Sequence, residues 1–314
     1  MFKKLFNAFS GGKEENDIDL SLGYSRLNEF KNYLLKKDYA AFEKEYEQLD
    51  WDAKTLLNEG IGLSPLFERP IADWAATMPS SYVAHLFAGV SFTLQAWTAR
   101  TGALGSEVSD ERAQLFFDFL EKAAEHLKIA DELNPDDAEV CARTIRVYMG
   151  LGVEREVTEG YFLAANSIQQ GHFMAHMLMA SYLTPKWRGS LDELYDFSNT
   201  QYEESNSSLL VTLLLFAITE EWLYYTITDE KELENNFFKN EELKATLKTI
   251  YSEYSDDGKN SLLIPYAYNY FAFLFHMFNE SELARSAAAH IKGKMTTYPW
   301  AYIGFDKNKQ LESL

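Results

Sequence analysis

The chain has 314 residues, of which 46% are hydrophobic and 25% charged, and its net charge is −19. This composition excludes a disordered or collagen-like chain, and the length suffices for a large hydrophobic core. The acidity repels phosphate backbones and so argues against general nucleic-acid binding, whereas it attracts basic proteins and peptides. Acidity can also serve only to keep a protein soluble. Attraction of a basic partner and solubility therefore both stay open as interpretations of the charge.

The composition predicts an all-α protein. Only 16 glycines and 7 prolines occur, so turns are sparse and elements long, while alanine and leucine recur throughout. The first 20 residues are expected to form a flexible basic and polar tail. Within it Phe2, Leu5, Phe6 and Phe9 share one helical face, which suits a weak membrane-surface anchor. A helix of barely two turns is more typical of a frayed or docked terminus, and no signal peptide is expected.

Residues 21–105 form the predicted N-terminal helical region. Asp38 is placed to cap the second helix of a hairpin, and Ser80 to cap a long helix. The loop 101–109 contains glycines and serines and predicts a boundary. A helical-repeat region is then expected over residues 106–314.

The clearest helical pattern lies at the start of this repeat region. Its apolar positions step by three and four: Phe116, Phe119, Leu120, Ala123, Leu127 and Ala130. Small Ala123 and Ala130 allow a neighbouring helix to approach closely, while the larger Leu127 fills the gap. Pro135 then ends the helix and fixes the turn.

The same segment resembles the second helix of a tetratricopeptide repeat. The resemblance extends from the small-large-small order through the ending at residues 132–139, where we expect Asp136 to cap the next helix with Glu139 as its reciprocal partner. It covers about one repeat and implies a tetratricopeptide-like stack of antiparallel helical hairpins, an α-solenoid.

A second motif is the sequence Lys186-Trp187-Arg188-Gly189-Ser190 before a predicted helix. Ser190 is expected to cap that helix, with Glu193 completing a capping box, and Trp187 to pin one hairpin to the next. The structural motif positions are therefore Trp187, Gly189, Ser190, Glu193, Ala123, Leu127, Ala130 and Pro135.

This motif is similar to that of an uncharacterised bacterial helical-repeat family, whose usual form is Lys-Trp-Gly-Gly-Ser. The similarity extends in outline over residues 25–305 and includes the late Trp300 and Gly304. Arg188 replaces the usual first glycine, so a close backbone approach is not expected there. The resemblance implies a bacterial cytosolic setting and no established activity.

The charge pattern points to a binding surface beside this motif. Residues 190–206 contain acids and no base, including Asp192, Asp196 and Glu203. We therefore expect this stretch, with Trp187 and Arg188, to contact a basic partner. Tyrosine and tryptophan suit protein recognition because each has a rigid ring with one polar atom. Further candidates for a groove or the core are Trp222, Tyr224 and Tyr225.

His172 and His176 are four residues apart, the spacing that places two imidazoles on one helical face. A metalloprotease helix has glutamate at the position of Phe173, so no metal site is predicted. We expect both histidines to line a groove and contact the partner.

Catalytic signatures are missing from the sequence. Cys141, the single cysteine, lies in a helical stretch and is predicted to be a core residue in a reducing cytosol. No phosphate-binding glycine loop and no Gly-x-Ser-x-Gly elbow occur. The adjacent pairs Glu203-Glu204, Glu220-Glu221 and Glu241-Glu242 are expected to be solvated.

The sequence therefore predicts a cytoplasmic, non-catalytic protein-binding module without a cofactor or a metal. An immunity or antitoxin-like protein that sequesters a basic toxin domain through an acidic groove fits this pattern. The alternatives are a general scaffold, a secretion chaperone, a helical-repeat hydrolase and a membrane-peripheral adaptor.

Overall fold

A computed structural model describes residues 18–100, 108–255 and 261–304. Fifteen α-helices and no strand occur within these ranges, which confirms the all-α class. The tail residues Phe2, Leu5, Phe6 and Phe9 lie outside the described residues.

The chain divides into two compact units. Among the described residues, the first unit lies within 23–182 and the second within 183–304, and residues 18–22 are grouped with the second. The boundary predicted after residue 105 lies outside the described residues, and the described helices on its two sides pack against each other.

The described residues of the first unit form nine helices. They are α1 (Leu27–Leu35), α2 (Tyr39–Tyr46), α3 (Trp51–Leu57), α4 (Glu68–Thr77), α5 (Tyr82–Arg100), α6 (Asp110–Leu133), α7 (Ala138–Leu151), α8 (Arg155–Ile168) and α9 (Phe173–Tyr182). A π-helical turn over Asn58–Gly62 continues α3, and a 3₁₀ turn over Pro65–Phe67 precedes α4. Helices adjacent in sequence pack together in most cases, and α7 also contacts α5 and α9.

The apolar face of α6 is buried as the spacing predicts. Ala123, Leu127 and Ala130 are all 0% exposed. The close approach lies at Gly89 of α5, where a Cβ atom would stand 2.6 Å from Leu127 Cγ. A glycine on one helix therefore faces the large residue between two small ones on the other, and the two helices pack closely.

Two predicted caps are wrong by one residue. Asp137, not Asp136, caps α7 by accepting hydrogen bonds from the backbone N–H groups of Glu139 and Val140. Residues 135 and 136 form the turn, which displaces the helix start. In the same way Ser81, not Ser80, accepts a bond from the backbone N–H near the start of α5. The cap at Asp38 is confirmed.

Six helices lie within the part of the second unit that the structure describes. They are α10 (Leu191–Glu204), α11 (Val211–Ile227), α12 (Lys231–Phe237), α13 (Glu241–Ser255), α14 (Ile264–Met277) and α15 (Ser281–Ile291), followed by a 3₁₀ turn over Trp300–Ile303. Helix α11 packs against α10, α12 and α14, and α14 packs against α15. Phe271, Phe273, Phe275 and Trp300 are fully buried in this unit.

The segment Ser208–Ile227, which includes α11, is long and apolar enough to cross a membrane. Within the protein 72% of its most apolar window is buried. Such burial is typical of the core helix of a soluble protein, because a membrane-spanning helix in isolation exposes its apolar side chains to lipid.

Candidate functional site

The segment before α10 is a tight turn built around Thr184. The backbone N–H groups of Trp187 and Gly189 both donate to Thr184 O, at 3.0 and 3.4 Å. A Cβ atom on Gly189 would lie 2.1 Å from the backbone oxygen of Leu183, so no larger residue fits without moving the backbone. Position 189 therefore requires glycine, while Arg188 is exposed and Trp187 partly buried.

Ser190 begins α10 as expected. Its Oγ accepts a bond from the backbone N–H of Glu193 at 3.2 Å and lies 3.3 Å from Glu193 Oε2 as a donor. The N-cap at Ser190 is confirmed. The carboxylate of Glu193 accepts a hydrogen bond from the hydroxyl of Ser190.

Lys186 connects this turn to a buried carboxylate on α11. Its Nζ lies 2.9 Å and 2.7 Å from the two carboxylate oxygens of Glu220, which is 3% exposed. Tyr302 Oη donates to Glu220 Oε1 at 2.7 Å. The expectation that Glu220 is solvated is wrong, because these two donors compensate for its loss of water.

Trp300 and Gly304 flank Tyr302, which donates to the same carboxylate. Trp300 is fully buried and donates through Nε1 to Asn269 Oδ1 at 2.8 Å. Gly304 ends the 3₁₀ turn with φ 70°, in the left-handed region that glycine adopts readily. The segment that contains Lys186 and the segment that contains Tyr302 therefore meet at Glu220.

Helices α10 and α11 form what we call the acid-only hairpin. Residues 189–230 contain nine acidic residues and no lysine, arginine or histidine. Asp192, Asp196 and Glu203 are four and seven residues apart, so they share one helical face, and all three are exposed. None of them forms an ion pair with another residue in the described ranges. The structure thus brings these three predicted contact residues together on the surface.

Glu221 lies on a different side of α11 from Glu220 and lines a groove. Its carboxylate accepts hydrogen bonds from Tyr195 Oη on one oxygen and from Tyr225 Oη at 2.9 Å on the other. The groove has a volume of about 450 Å³. It is lined by Glu221, Tyr225, Leu233, Asn236, Phe237, Asn240 and Leu243. We call it the Glu221 groove.

The two phenols are protonated donors at neutral pH. Burial, together with the hydrogen bond to Glu221, raises the pKa of Tyr225 to about 12. Burial and the charge of Glu221 raise the pKa of Tyr195 further. Of the candidate aromatic residues on α11, Tyr225 lines the groove and Trp222 is buried in the core.

The two histidines lie inside the first unit rather than along a groove. His172 and His176 are 2% and 1% exposed. His172 Nδ1 accepts a bond from the backbone N–H of Ala175 at 3.2 Å, so His172 begins α9 as a cap. His176 packs edge-on against Phe162 and hydrogen-bonds His172 O at 2.8 Å. Among the described residues no group of three histidine, cysteine or acidic side chains suits a metal ion.

His172 contacts a buried cluster of charges that the sequence pattern did not predict. Arg143 Nε lies 2.9 Å from Glu139 Oε2, Arg143 also pairs with Glu59, and His172 Nε2 lies 3.3 Å from Glu139 Oε1. Burial would raise the pKa of Glu139, but Arg143 and His172 outweigh it and lower the pKa to about 2. Each carboxylate has a cationic partner, as in a structural ion-pair network. The four-residue spacing of Glu139 and Arg143 is the sequence feature that could have predicted this ion pair.

Cys141 is a core residue as predicted. It is 2% exposed, and burial raises the pKa of its thiol to about 12, so it carries no thiolate at neutral pH. The chemically distinctive surface is thus the acid-only hairpin with the Glu221 groove. Comparison with known protein families, curated proteins and solved structures gives no match.

Proposed function

We propose that the protein is a non-catalytic binding protein that holds a basic protein or peptide against the acid-only hairpin. The observation that carries this proposal is the row of exposed Asp192, Asp196 and Glu203 on α10, without a neutralising base in the described structure. Unpaired charges of one sign attract a partner of the opposite sign over roughly a Debye length, about 10 Å at 0.1 M salt.

Within this class we propose an immunity or antitoxin-like role in a bacterial cytoplasm. A tetratricopeptide-like stack is the finer fold that we propose with it. Supporting observations are the packing of helices adjacent in sequence and the contacts of α7 with both α5 and α9. The buried, protonated Cys141 suits a reducing compartment. A scaffold or secretion chaperone would use the same surface and differ in its partner.

The test uses a blocked synthetic peptide of repeated Lys-Leu-Ala triplets, which we call the probe peptide. Its association rate constant is measured by stopped-flow fluorescence at about 0.1 M and about 1 M salt. We expect the rate to fall about tenfold or more, because long-range attraction is screened. A rate that does not change with salt would contradict the proposal and leave the acidity a solubility feature.

A charge variant locates the surface. Asp192→Asn, Asp196→Asn and Glu203→Gln together are expected to lower the association rate at low salt by at least about threefold. The matched control is Asp110→Asn, Asp136→Asn and Glu121→Gln, which removes the same residue types and charge from exposed positions of the first unit. Equal effects of the two variants would mean that only net charge matters.

A further inference from the structure

The Glu221 groove combines one carboxylate with apolar walls. Glu221 and Tyr225 come from α11, Leu233 and Phe237 from α12, and Leu243 from α13. Phe237 is buried, whereas Leu233 is 47% exposed. A volume of about 450 Å³ lies within the ordinary range of ligand pockets, roughly 300–1,000 Å³.

The carboxylate of Glu221 has two hydrogen-bond donors. The two tyrosine hydroxyls occupy two of the roughly four acceptor positions of a carboxylate, so acceptor capacity remains. No lysine, arginine or histidine of the described ranges lies within ion-pair distance of Glu221. Its charge is therefore held in a partly buried place and stabilised by neutral groups alone.

The lysines on the neighbouring helices have other partners. Lys231 pairs with Glu234 at 2.9 Å, and Lys244 pairs with Glu241 at 2.8 Å. Lys239 donates to Asn236 Oδ1 at 3.2 Å. None of these three lysines forms an ion pair with Glu221.

We propose that the Glu221 groove takes a lysine side chain from the basic segment that the acid-only hairpin attracts. The ammonium group would meet the carboxylate of Glu221, and the methylene chain would lie along Leu233, Phe237 and Leu243. Lysine suits such a site because its stem is apolar and its charge is confined to the tip. This inference rests on the proposed function and names the side chain that the partner contributes.

Lysine fits better than arginine for a geometric reason. A guanidinium group pairs most strongly when its fork reaches both carboxylate oxygens at once. In Glu221 each oxygen already accepts a phenol hydrogen bond. An ammonium group acts as a point charge and needs only the remaining acceptor position of one oxygen.

Affinity measurements with the probe peptide test the groove. Glu221→Gln is expected to weaken binding about tenfold or more, because it removes a charge-assisted hydrogen bond from a partly buried site. Glu204→Gln is the matched control: it removes the same charge from an exposed position of the same hairpin and should weaken binding less than about threefold. Replacing every lysine of the probe by acetyl-lysine should abolish binding, and replacing it by arginine should weaken it severalfold.

A second variant leaves the carboxylate and its tyrosines intact. Leu233→Ser removes an exposed apolar wall, so folding is not threatened, and we expect a severalfold loss of affinity. Leu133→Ser in the first unit starts from a similar exposure of 45% and should change nothing. Thermal melting of every variant establishes that the protein folds.

The outcomes separate this inference from the proposed function. If the α10 charge variant weakens binding and Glu221→Gln does no more than Glu204→Gln, the acidic surface binds the partner and the groove proposal is overturned. If Glu221→Gln weakens binding and the α10 variant does not, the groove is supported and the surface proposal is contradicted. If the wild type does not bind the probe peptide at low salt, both are overturned.

Discussion

Lys186 Nζ lies 2.7 Å from Glu220 Oε2, and this ion pair ties the turn before α10 to the buried side of α11. Tyr302 donates to the other carboxylate oxygen from the last described turn of the chain. Burial and the charge of Glu220 raise the pKa of the Tyr302 hydroxyl, so it stays protonated and keeps donating. Three separate segments of the second unit thus share one carboxylate.

Replacing Lys186 should destabilise the second unit. In Lys186→Met the buried carboxylate of Glu220 loses its cation, and we expect the free energy of unfolding to fall by about 1–3 kcal/mol. Lys231→Met is the control, because Lys231 is exposed and its pairs should contribute about 0–1 kcal/mol. Urea unfolding followed by circular dichroism measures both, and equal losses would contradict a structural role of the Lys186 pair.

Gly189→Ala should be destabilising although alanine is small. The added Cβ would lie 2.1 Å from Leu183 O, so the backbone must shift, at a cost of about 1–3 kcal/mol or more. Gly160→Ala is the control, since that glycine is exposed inside α8 with nothing within 4 Å of the added atom. It should stabilise the helix by about 0.5–1 kcal/mol. A neutral Gly189→Ala would show that the turn has room.

The buried charges of the first unit make Glu139→Gln costly. The variant breaks the pair with Arg143, and removing one partner of a buried ion pair typically costs about 3–5 kcal/mol. Glu132→Gln removes an exposed partner of Lys128 and should change stability by less than about 1 kcal/mol. Thermal melting compares them, and a Glu139→Gln variant as stable as Glu132→Gln would contradict the network.

The lowered pKa of Glu139 also sets a pH dependence. The stabilisation from this carboxylate is fully present above its unfolded pKa of 4.5 and is lost as the pH falls towards about 2. The loss of stability between these values should be smaller in Glu139→Gln than in the wild type. Parallel urea titrations at several acidic pH values measure the difference, and identical slopes would refute it.

A pair of histidines gives a second pH dependence in a higher range. His85 Nδ1 and His126 Nδ1 lie 2.8 Å apart, and His126 stacks on Phe92. Burial, with a smaller contribution from His85, lowers the pKa of His126 against the opposing charge of Glu125. The folded state therefore binds this proton less readily than the unfolded chain does.

Stability should consequently fall as the pH drops below about 6.5, the unfolded value, through the lower folded pKa of His126. Urea unfolding near pH 7.5 and pH 5.5 measures this change, over a range in which ordinary carboxylates stay ionised (about pKa 4). The decrease should be smaller in His126→Gln. An equal decrease in both proteins would assign it to other groups.

The sequence alone determined the helical class and the buried face of α6. Helical periodicity is a local property, because each residue advances the side-chain direction by about 100°. The burial of Ala123, Leu127 and Ala130 therefore follows from their spacing. The caps at Asp38 and Ser190 are likewise local features of the chain.

Only the tertiary structure decided which side chains contact each other across helices. His172 and His176 have the spacing of a shared helical face, yet both are buried. Glu139 of α7 contacts His172, and Phe162 of α8 packs against His176. Spacing gives the relative directions of side chains on one helix. It does not say which direction faces another helix.

Glu220 and Glu221 show the same limit at adjacent positions. Neighbouring side chains on a helix point in different directions, so the pair has two environments whatever the fold is. Lys186 and Tyr302, 34 and 82 residues away along the chain, meet Glu220. Tyr195 and Tyr225 donate to Glu221, which forms no ion pair with any described residue. Sequence supplied the two acids, and long-range packing made one a structural anchor and placed the other in a groove.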